Sequence, residues 1–497
     1  MQLPLRIDPA AGKSLQLQIT EQIRLLILDG RLVAGARMPA SRQLAQDLDV
    51  SRNTIMAAFG RLIAEGFLVA REPTGTFVAE RVAPEGPALL PLVDARPSAA
   101  AEQRRRRRLK FRGEAHEVVA PHGHELEFDF WVGRPDARLF PLRHWQALLM
   151  RKLRTGARHL CEYGDPQGVL ALREAISAHV GATRGIAADP ARIVITNGIQ
   201  EGLNLLAWLL IAPGVEVVVE DPCYRGAAHV FAGHGATLRP VAVDQDGIDC
   251  AALPAAAALA YVTPSHQYPL GVTQSLARRE ALLAWAAAAG AYVVEDDYDC
   301  DFFYDGAPLP ALKSLDRNGQ VIYLGTFSKS LGAGLRIGYM VLPAELCEPA
   351  RKAKALLNNC QPWLEQAALA AFITEGGYAE HLRRLRQLYA ARRNHLCAAV
   401  THGLPEWRCS GEGGGMHLVV QLPARGPDAQ AVEQLARAHG VGVYGISHGN
   451  ARLWNVGGDA ALERVLLLGY AALSETEVSE ALLRLRQAVG AGVVSEG

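Results

Sequence analysis

Apolar residues follow a helical spacing at the start of the chain and then a strand spacing. Over residues 15–28 they recur every three or four positions, which predicts an amphipathic helix. The same spacing predicts a short helix following Ser41 and a third helix after Ser51, whose hydroxyl suits an N-cap. Residues 67–71 and 76–79 alternate between apolar and polar, as two strands joined by a turn do. The inward positions predicted for the third helix are Ile55, Ala58, Phe59, Leu62 and Ile63.

From about residue 125 the pattern changes to helices that alternate with short apolar runs. This alternation is typical of an α/β domain with a mostly parallel sheet. Because the carboxyl ends of parallel strands meet at one edge of the sheet, polar residues after such runs predict a single ligand site there. Five runs end in polar residues, and they cover residues 193–196, 217–220, 260–263, 292–295 and 321–324.

The segment between these two patterns has no apolar period. Residues 81–122 are rich in Pro, Ala and Glu, so we expect a flexible tether between a domain at 1–80 and a larger one at 123–497. The tether contains five consecutive arginines, Arg104–Arg108. Such a run fits two interpretations equally: it tracks DNA phosphates, or it is a solvated stretch that keeps the tether extended.

Composition narrows the class of protein without naming a partner. A chain of 497 residues, 49% hydrophobic and 21% charged, is typical of a globular protein with two or three domains. Lys plus Arg (51) equals Asp plus Glu (51), so bulk charge indicates no partner. The eight cysteines show no CxxC pairs, and we expect reduced thiols, no metal site and a cytoplasmic location. The apolar run 281–294 contains Gly290 and is too short to span a bilayer, so no membrane partner is expected.

The first 80 residues carry side chains that suit DNA. Three helices and a hairpin make a winged helix-turn-helix, whose third helix enters the major groove with its N-terminus first. Arginines at the starts of two helices are not needed for folding, which disfavours the alternative of a protein-interaction module. The predicted DNA contacts are Arg42, Ser51, Arg52, Asn53, Thr54, Arg71, Gly75 and Thr76.

The polar residues after two neighbouring strands suit an aldehyde cofactor with a basic ring nitrogen, pyridoxal 5'-phosphate. Lys329 would form the Schiff base, with an amine pKa lowered by the enclosed site. Asp296 would keep the pyridinium nitrogen protonated, so that the ring acts as an electron sink. Tyr298 would donate to the phenolic oxygen, and Tyr224 would stack on the ring.

The cofactor phosphate is expected at the start of the helix that follows Gly198. Backbone amides there would face the anion. Taken singly, each of these residues has an ordinary explanation as a helix cap, a core tyrosine or a surface lysine. A lysine within Ser-Lys-x-x-x-x-Gly-x-Arg-x-Gly, with Asp-x-Tyr one unit earlier, favours the cofactor site over those explanations. The predicted phosphate contacts are Gly198, Ile199, Gln200, Thr326, Ser328 and Arg336.

The quoted motifs resemble two known families. The pattern Pro39-Ala-Ser-Arg42 followed by Val50-Ser-Arg-Asn-Thr54 resembles the DNA-binding domain of GntR-type regulators. The larger domain resembles fold-type I aminotransferases, through Tyr163-Gly-Asp-Pro-x-Gly168 and the Lys329 motif. The chain as a whole resembles the MocR subfamily of GntR regulators. This resemblance implies a homodimer in which Tyr163 reaches the neighbouring subunit's phosphate, and an effector pocket lined by Gly133.

The sequence departs from aminotransferases at two places. Where they have Asn-Pro-Thr-Gly, this chain has Tyr268-Pro-Leu-Gly, so His266 or Gln267 would have to steady the phenolic oxygen instead. The arginine that usually holds a substrate carboxylate is missing from the stretch 465–470. Arg452 is the substitute assigned to the effector, and Arg134 and Arg225 are alternatives.

Three functions fit these features. The leading one is a regulator of a nearby metabolic gene, in which an effector amine or amino acid displaces Lys329 from the cofactor and repositions the DNA-binding domain. The second is an active aminotransferase with an attached DNA-binding domain, which the two departures disfavour beyond a slow half-reaction. The third is a vitamin sensor, in which occupancy by the cofactor is itself the signal.

Overall fold

The computed structural model describes residues 3–9, 11–80, 99–108, 126–299, 301–304, 309–455 and 458–494. The chain divides into two compact units, Met1–Arg112 and Gly113–Gly497. Among the described residues, no helix combines the length and the apolar character needed to cross a bilayer.

The first unit contains three helices and a two-stranded hairpin, as the sequence predicts. The elements are α1 (Leu15–Leu28), α2 (Ser41–Asp47), α3 (Arg52–Ala64), β1 (Leu68–Arg71) and β2 (Gly75–Val78). The strands pair antiparallel.

The core of this unit forms where the apolar faces of the helices meet. Ile19 and Ile23 of α1 and Ile55 of α3 are fully buried. The expectation that Ile63 points inward is wrong, because its side chain is 37% exposed. The buried face of α3 follows positions i, i+3, i+4 and i+7 from Ile55, and Ile63 comes one residue after that series, about 100° around the helix.

A helix, α4 (Ala99–Arg108), lies inside the predicted tether. The sequence predicts a flexible tether here and indicates no helix within it, so α4 adds to that prediction. The missing apolar period shows only that the segment lacks a face for a core, whereas Ala, Glu, Gln and Arg all favour a helix intrinsically. The five arginines occupy its C-terminal half. The other residues of the tether lie outside the described residues.

The second unit alternates helices and strands. Its helices are α5 (Leu142–Thr155), α6 (Ala157–Cys161), α7 (Leu170–Arg184), α8 (Ile199–Leu210), α9 (Arg225–Gly233), α10 (Leu276–Ala289), α11 (Leu312–Leu315), α12 (Ala344–Asn358), α13 (Trp363–Thr374), α14 (Gly377–Gly403), α15 (Ala429–Ala438) and α16 (Glu475–Val494). Its strands are β3 (Phe128–Asp129), β4 (Ile193–Thr196), β5 (Glu216–Asp221), β6 (Cys223–Tyr224), β7 (Thr237–Asp244), β8 (Gly247–Ile248), β9 (Leu259–Val262), β10 (Tyr292–Asp296), β11 (Val321–Thr326), β12 (Gly338–Val341), β13 (Arg408–Ser410), β14 (His417–Gln421), β15 (Val441–Gly442), β16 (Tyr444–Gly445), β17 (Ala451–Arg452) and β18 (Val465–Gly469).

An eight-stranded, mostly parallel sheet carries the site. Its strand order is β4-β12-β11-β10-β9-β5-β7-β8. Strand β10 runs parallel to β9 and β11, and β5 runs parallel to β9. Strand β12 is antiparallel to both β11 and β4, so β4 runs in the same direction as β11. The five runs predicted as strands therefore all end at the same edge of this sheet.

Helices cover the sheet, which explains why its central strands read as continuous apolar runs. Ile193 and Ile195 of β4 pack with α5, α7 and α13, whereas Val194 faces the opposite side and packs with α8, α9 and α12. A second, four-stranded sheet, β13-β14-β18-β16, packs with α14, α15 and α16 around a separate core.

Candidate functional site

Lys329 lies in a π-helical turn, residues 328–332, that directly follows β11. Such turns are rare and recur at functional sites. Its Nζ donates a hydrogen bond to the carbonyl oxygen of Gly133 at 3.2 Å. Burial lowers the pKa of the Lys329 amine, and the carboxylates of Asp299 and Asp296 oppose that shift. The structure thus holds an amine of reduced basicity at the carboxyl edge of the sheet.

Asp296 is the last residue of β10 and is 4% exposed. Its Oδ2 accepts a hydrogen bond from the Tyr261 hydroxyl at 2.7 Å, and its Oδ1 has no partner among the described residues. Burial raises the pKa of Asp296 to about 7, against the effect of Tyr261. A buried carboxylate oxygen without a partner is costly, so it marks a place where a donor or a cation belongs.

Several groups that suit an anion lie close together where α8 begins. Gly198 precedes the helix with φ +77°, and a Cβ there would lie 2.6 Å from Nη2 of Arg336. Arg336 also donates to the carbonyl oxygen of Asn197 at 2.5 Å. Thr326 donates from its hydroxyl to that of Ser328 at 2.9 Å. The first amides of a helix, a guanidinium and two hydroxyls are the groups that bind phosphate in proteins.

The remaining phosphate candidates lie at the same helix start. Gln200 accepts a hydrogen bond from the hydroxyl of Tyr224 at 3.2 Å and donates to the carbonyl oxygen of Gly226 at 3.3 Å. These bonds hold the Tyr224 ring close to the start of α8. Burial raises the pKa of Tyr224 to about 12, so the ring remains neutral. The stacking role of Tyr224 and the backbone role of Ile199 stay predictions.

His266, and not Gln267, takes the place beside Tyr298. Nδ1 of His266 lies 3.1 Å from the Tyr298 hydroxyl and 2.9 Å from Oδ2 of Asp299. The amide of Gln267 is already used, since it donates to Glu220 and to two backbone carbonyls. Of the two substitutes that the sequence leaves open, only His266 reaches the tyrosine.

A histidine from the smaller sheet completes this cluster. His417, in β14, is fully buried, and its ring centre lies 4.9 Å from that of His266. Burial lowers the pKa of His417 to about 4, so its imidazole is neutral. Nε2 of His266 and Nδ1 of His417 have no partner among the described residues. Ligand atoms of His266, Asp299 and His417 lie within 4.8 Å of one another, a cluster for which the cysteine pattern gave no signal.

The three candidate arginines differ in availability. Arg134 pairs with Asp129 at 2.8 Å, and Arg225 donates to the backbone carbonyls of Ser447 and Ala451. Arg452 is exposed, with its guanidinium 5.3 Å from the ring centre of Trp454. Because β17 pairs with β6, the backbone of Arg452 lies beside Cys223, next to Tyr224. Arg452 is therefore the one of the three whose charge has no ionic or backbone partner among the described residues.

Two further predicted residues occupy contrasting positions. Gly133 has φ +72°, and a Cβ there would lie 2.3 Å from Nζ of Lys329, so only glycine leaves room for the lysine. Tyr163 is 84% exposed on the loop after α6. A large exposed aromatic ring of this kind is free to contact another molecule.

In the first unit, most of the predicted DNA contacts are exposed, and Thr54 and Thr76 are half-buried. Arg42, Arg52 and Asn53 are exposed at the starts of α2 and α3, and Ser51 caps α3 by accepting from the amide of Thr54 at 3.1 Å. Arg52 donates to the hydroxyl of Ser41 at 3.4 Å, which links the two helices.

The hairpin carries the other predicted contacts. Arg71 pairs with Glu80 at 2.7 Å and lies 5.3 Å from the ring centre of Phe77. Gly75 is exposed with φ +120°, and Thr76 beside it is half-buried. The side chain of Arg37 approaches the position of a Gly75 Cβ to 3.5 Å. Arg37 lies outside every helical or strand pattern in the sequence, so its place beside the hairpin has no local signal.

Two family models match the chain. The model of the gntR family of bacterial regulatory proteins matches residues 15–78. The model of class I and II aminotransferases matches residues 134–485.

Curated relatives match over nearly the whole length. The chain is 34% identical to the probable rhizopine catabolism regulatory protein MocR of Rhizobium meliloti, over 97% of this chain and 95% of that protein. It is 34% identical to the HTH-type transcriptional regulator TauR of Rhodobacter capsulatus, over 88% and 89%. It is 30% identical to the HTH-type pyridoxine biosynthesis transcriptional regulator PdxR of Corynebacterium glutamicum, over 99% of each.

Solved structures of aminotransferases match the larger domain. The kynurenine aminotransferase of Pyrococcus horikoshii is 28% identical with a TM-score of 0.66, over 73% of this chain and 91% of that chain. The α-aminoadipate aminotransferase LysN of Thermus thermophilus, solved with a phosphopyridoxyl-leucine, is 27% identical with a TM-score of 0.68, over 76% and 96%.

Proposed function

The chain belongs to the MocR-type regulators of the GntR family, and we propose that its affinity for operator DNA changes when a small amine reacts with the cofactor held at Lys329. It is a DNA-binding transcription regulator whose larger domain binds pyridoxal 5'-phosphate. The regulated gene would lie close to its own.

The residues at the sheet edge fit this cofactor. Asp296 supplies a buried oxygen without a partner for the ring nitrogen, and this is the observation that carries the proposal. The amides after Gly198 and the guanidinium of Arg336 would hold the phosphate, and Lys329 would hold the aldehyde carbon. When bound, pyridoxal phosphate supplies a carbonyl that amines attack and a ring that withdraws electrons.

The chain's own residues would control access to that carbonyl. Burial keeps the Lys329 amine less basic than a solvent-exposed lysine, so its neutral form is more available for attachment. The carbonyl of Gly133 accepts a hydrogen bond from the amine and fixes its direction. An effector amine that replaces Lys329 would free this side chain to move. That movement is the local event that a DNA-binding domain could read through the tether.

The effector class follows from the available charges. Arg134 and Arg225 have partners, so neither is free to hold an α-carboxylate without giving one up. Arg452, exposed on β17, is the arginine left for an anionic group. Since neither of the other two is free, a small amine, or an amino acid whose anionic group is several bonds from the amine, suits the site better than a common α-amino acid.

Efficient transamination is not favoured. Tyr268 stands where aminotransferases place an amide, and its hydroxyl is bound to the carbonyl oxygen of Gly449. The missing arginine also removes the usual means of orienting a keto acid.

A vitamin sensor is the second candidate. The relative PdxR, 30% identical over nearly all of both chains, is named for pyridoxine biosynthesis. In that case occupancy by the cofactor would be the signal, without any amine.

We also propose a homodimer. Tyr163 is 84% exposed, and Leu160 and Leu356 expose apolar side chains, at 54% and 80%. A second copy would cover such side chains, and Tyr163 would then reach that copy's phosphate.

The experiment uses fluorescence anisotropy to measure how tightly the protein binds a labelled DNA fragment. The fragment comes from the region upstream of the gene that encodes this protein. Three states are compared: cofactor-free, cofactor-loaded, and cofactor-loaded with aminooxyacetate, a carbonyl reagent that releases Lys329. A change between the last two states that is absent from Lys329→Ala supports amine sensing. A change between the first two alone supports the vitamin sensor. Equal binding in all three states excludes both.

A further inference from the structure

Asp299 and His266 form a buried pair behind Tyr298. Asp299 is 3% exposed and His266 is 5% exposed. Nδ1 of His266 lies 2.9 Å from Oδ2 of Asp299 and 3.1 Å from the hydroxyl oxygen of Tyr298. One ring nitrogen therefore faces both a carboxylate and a phenol, and neither distance leaves room for a water molecule.

The carboxylate decides which nitrogen of His266 carries the proton. A carboxylate only accepts hydrogen bonds, so Nδ1 must carry the proton that lies between His266 and Asp299. This holds whether or not Nε2 carries a second one. With Nδ1 as a donor, the oxygen of Tyr298 accepts, and the hydroxyl hydrogen of Tyr298 is left for another acceptor, for which the nearby carboxylate of Asp299 and a bound cofactor compete.

If Nδ1 lacked its proton, the relationship would reverse. Nδ1 would then accept the hydrogen of Tyr298 and draw it away from the cofactor. The same reasoning explains why a neutral amide in place of the aspartate of a catalytic triad selects the wrong tautomer.

We propose that Asp299 is a positioning residue that fixes the Nδ1–H form of His266, and thereby keeps the Tyr298 hydroxyl directed at the phenolic oxygen of the cofactor. The proposal rests on the proposed function, because it requires pyridoxal phosphate at Lys329. In this arrangement the Asp–His pair acts on the phenolic oxygen only through the hydroxyl of Tyr298.

The other charged groups around His266 are consistent with this role. His417 approaches from β14 and is neutral. Arg184 of α7 and Arg279 of α10 line, with His266 and Asp299, a cavity of about 20 Å³, and their charges oppose a metal cation there. Lys329 lines another small cavity with Tyr298 and Asp299. Asp299 is thus the acid shared by the histidine, the tyrosine and the lysine.

The test follows the visible absorbance band of the cofactor-loaded protein as a function of pH. A hydrogen bond from Tyr298 stabilises the ionised phenolic oxygen, so its loss raises the pH midpoint of the band. We expect Asp299→Asn and Tyr298→Phe each to raise the midpoint by about one unit. The midpoint of the double variant should be no higher than that of Tyr298→Phe alone, since both changes remove the same interaction.

If Asp299 acted only through its negative charge, its removal would shift the pH midpoint of the band in the opposite direction. Its charge raises the pKa of Lys329, so removing the charge alone would lower the midpoint. A lowered or unchanged midpoint in Asp299→Asn, or additive shifts in the double variant, overturns the proposal. Asp301→Asn is the matched control, because Asp301 lies two residues away and accepts a hydrogen bond from Tyr378. The pH midpoint of this variant should equal that of the wild type.

A second pair of variants covers the case in which Asp299→Asn fails to fold. His266→Leu should raise the midpoint, and His266→Asn, which restores an amide donor, should lie closer to the wild type. Equal midpoints in these two variants contradict the proposal. If the wild type shows no visible band and no borohydride-trapped cofactor, the proposed function itself fails, which is a different result from an unshifted midpoint.

Discussion

Tyr261 donates a hydrogen bond to one oxygen of Asp296 at 2.7 Å, while the other oxygen of that carboxylate has no partner among the described residues. The bond fixes the carboxylate, so that its second oxygen points in one direction only. A fixed, buried acid can bind a cationic ring nitrogen without rearranging.

This arrangement makes the stability of the cofactor-free protein depend on pH. Burial raises the pKa of Asp296 to about 7, so the folded state holds its proton to a higher pH than the unfolded state does. The free energy of unfolding therefore falls between about pH 4 and pH 7, and the loss from this residue is complete above pH 7. Urea unfolding at pH 5 and pH 8 should show Asp296→Asn gaining stability relative to the wild type as pH rises. An equal change in both proteins would contradict this.

Arg336 should matter for the phosphate and not for the ring. Charge-assisted hydrogen bonds contribute roughly 1.5–3 kcal/mol, so Arg336→Ala should weaken pyridoxal phosphate binding by about 10- to 100-fold. Binding of pyridoxal, which lacks the phosphate, should change much less. Arg336 has φ +52°, so Arg336→Lys serves as a control that retains both the charge and a side chain at this strained position. Equal losses for both ligands would place the phosphate elsewhere.

Gly133→Ala tests the space around the lysine. The new methyl group would lie 2.3 Å from Nζ of Lys329, so the lysine must move. We expect roughly tenfold weaker attachment of the cofactor, measured by the visible band. Gly319→Ala is the matched control, because Gly319 has the same φ of +72° but no atom within 4 Å of the added Cβ. If both variants behave alike, backbone strain and not contact with Lys329 is responsible.

Arg52→Ala should weaken operator binding by roughly 5- to 100-fold, the range for one lost base or phosphate contact. If Arg52 contacts a phosphate, the slope of log affinity against log salt should also decrease by about one. Arg61→Ala, at the far end of the same helix, removes an arginine that pairs with Glu65 and should leave binding nearly unchanged. Anisotropy titrations at several salt concentrations measure both quantities. If Arg61→Ala weakened operator binding more than Arg52→Ala, the DNA-contacting surface would lie nearer the C-terminal end of α3.

Residues at strand ends can be placed from the sequence. Asp296 and Lys329 each come at the end of an apolar run, and the parallel sheet brings such positions to one edge, where the structure has both; their roles toward the cofactor stay predictions. The elements of the winged helix can also be predicted from the sequence, because each helix has its own apolar period and Ser51 occupies a capping position.

Other parts of the site left no local signal. Tyr261 lies within a fully buried strand, and its neighbours along the sequence are apolar, so nothing in the local pattern marks its hydroxyl. His417 reaches His266 from a different sheet, some 150 residues later in the chain. The helix α4 was missed for the opposite reason, because it has helix-forming residues but no apolar face. Contacts between residues far apart in the chain depend on how the elements pack, and the spacing of apolar residues along the sequence does not predict that packing.

The most direct measurement is borohydride reduction of the cofactor-loaded protein, followed by peptide mass mapping. We predict a single phosphopyridoxyl group on Lys329, absent from Lys329→Ala and reduced in amount in Asp296→Asn. A label on another lysine, or no label at saturating pyridoxal phosphate, would show that this sheet edge is not the cofactor site.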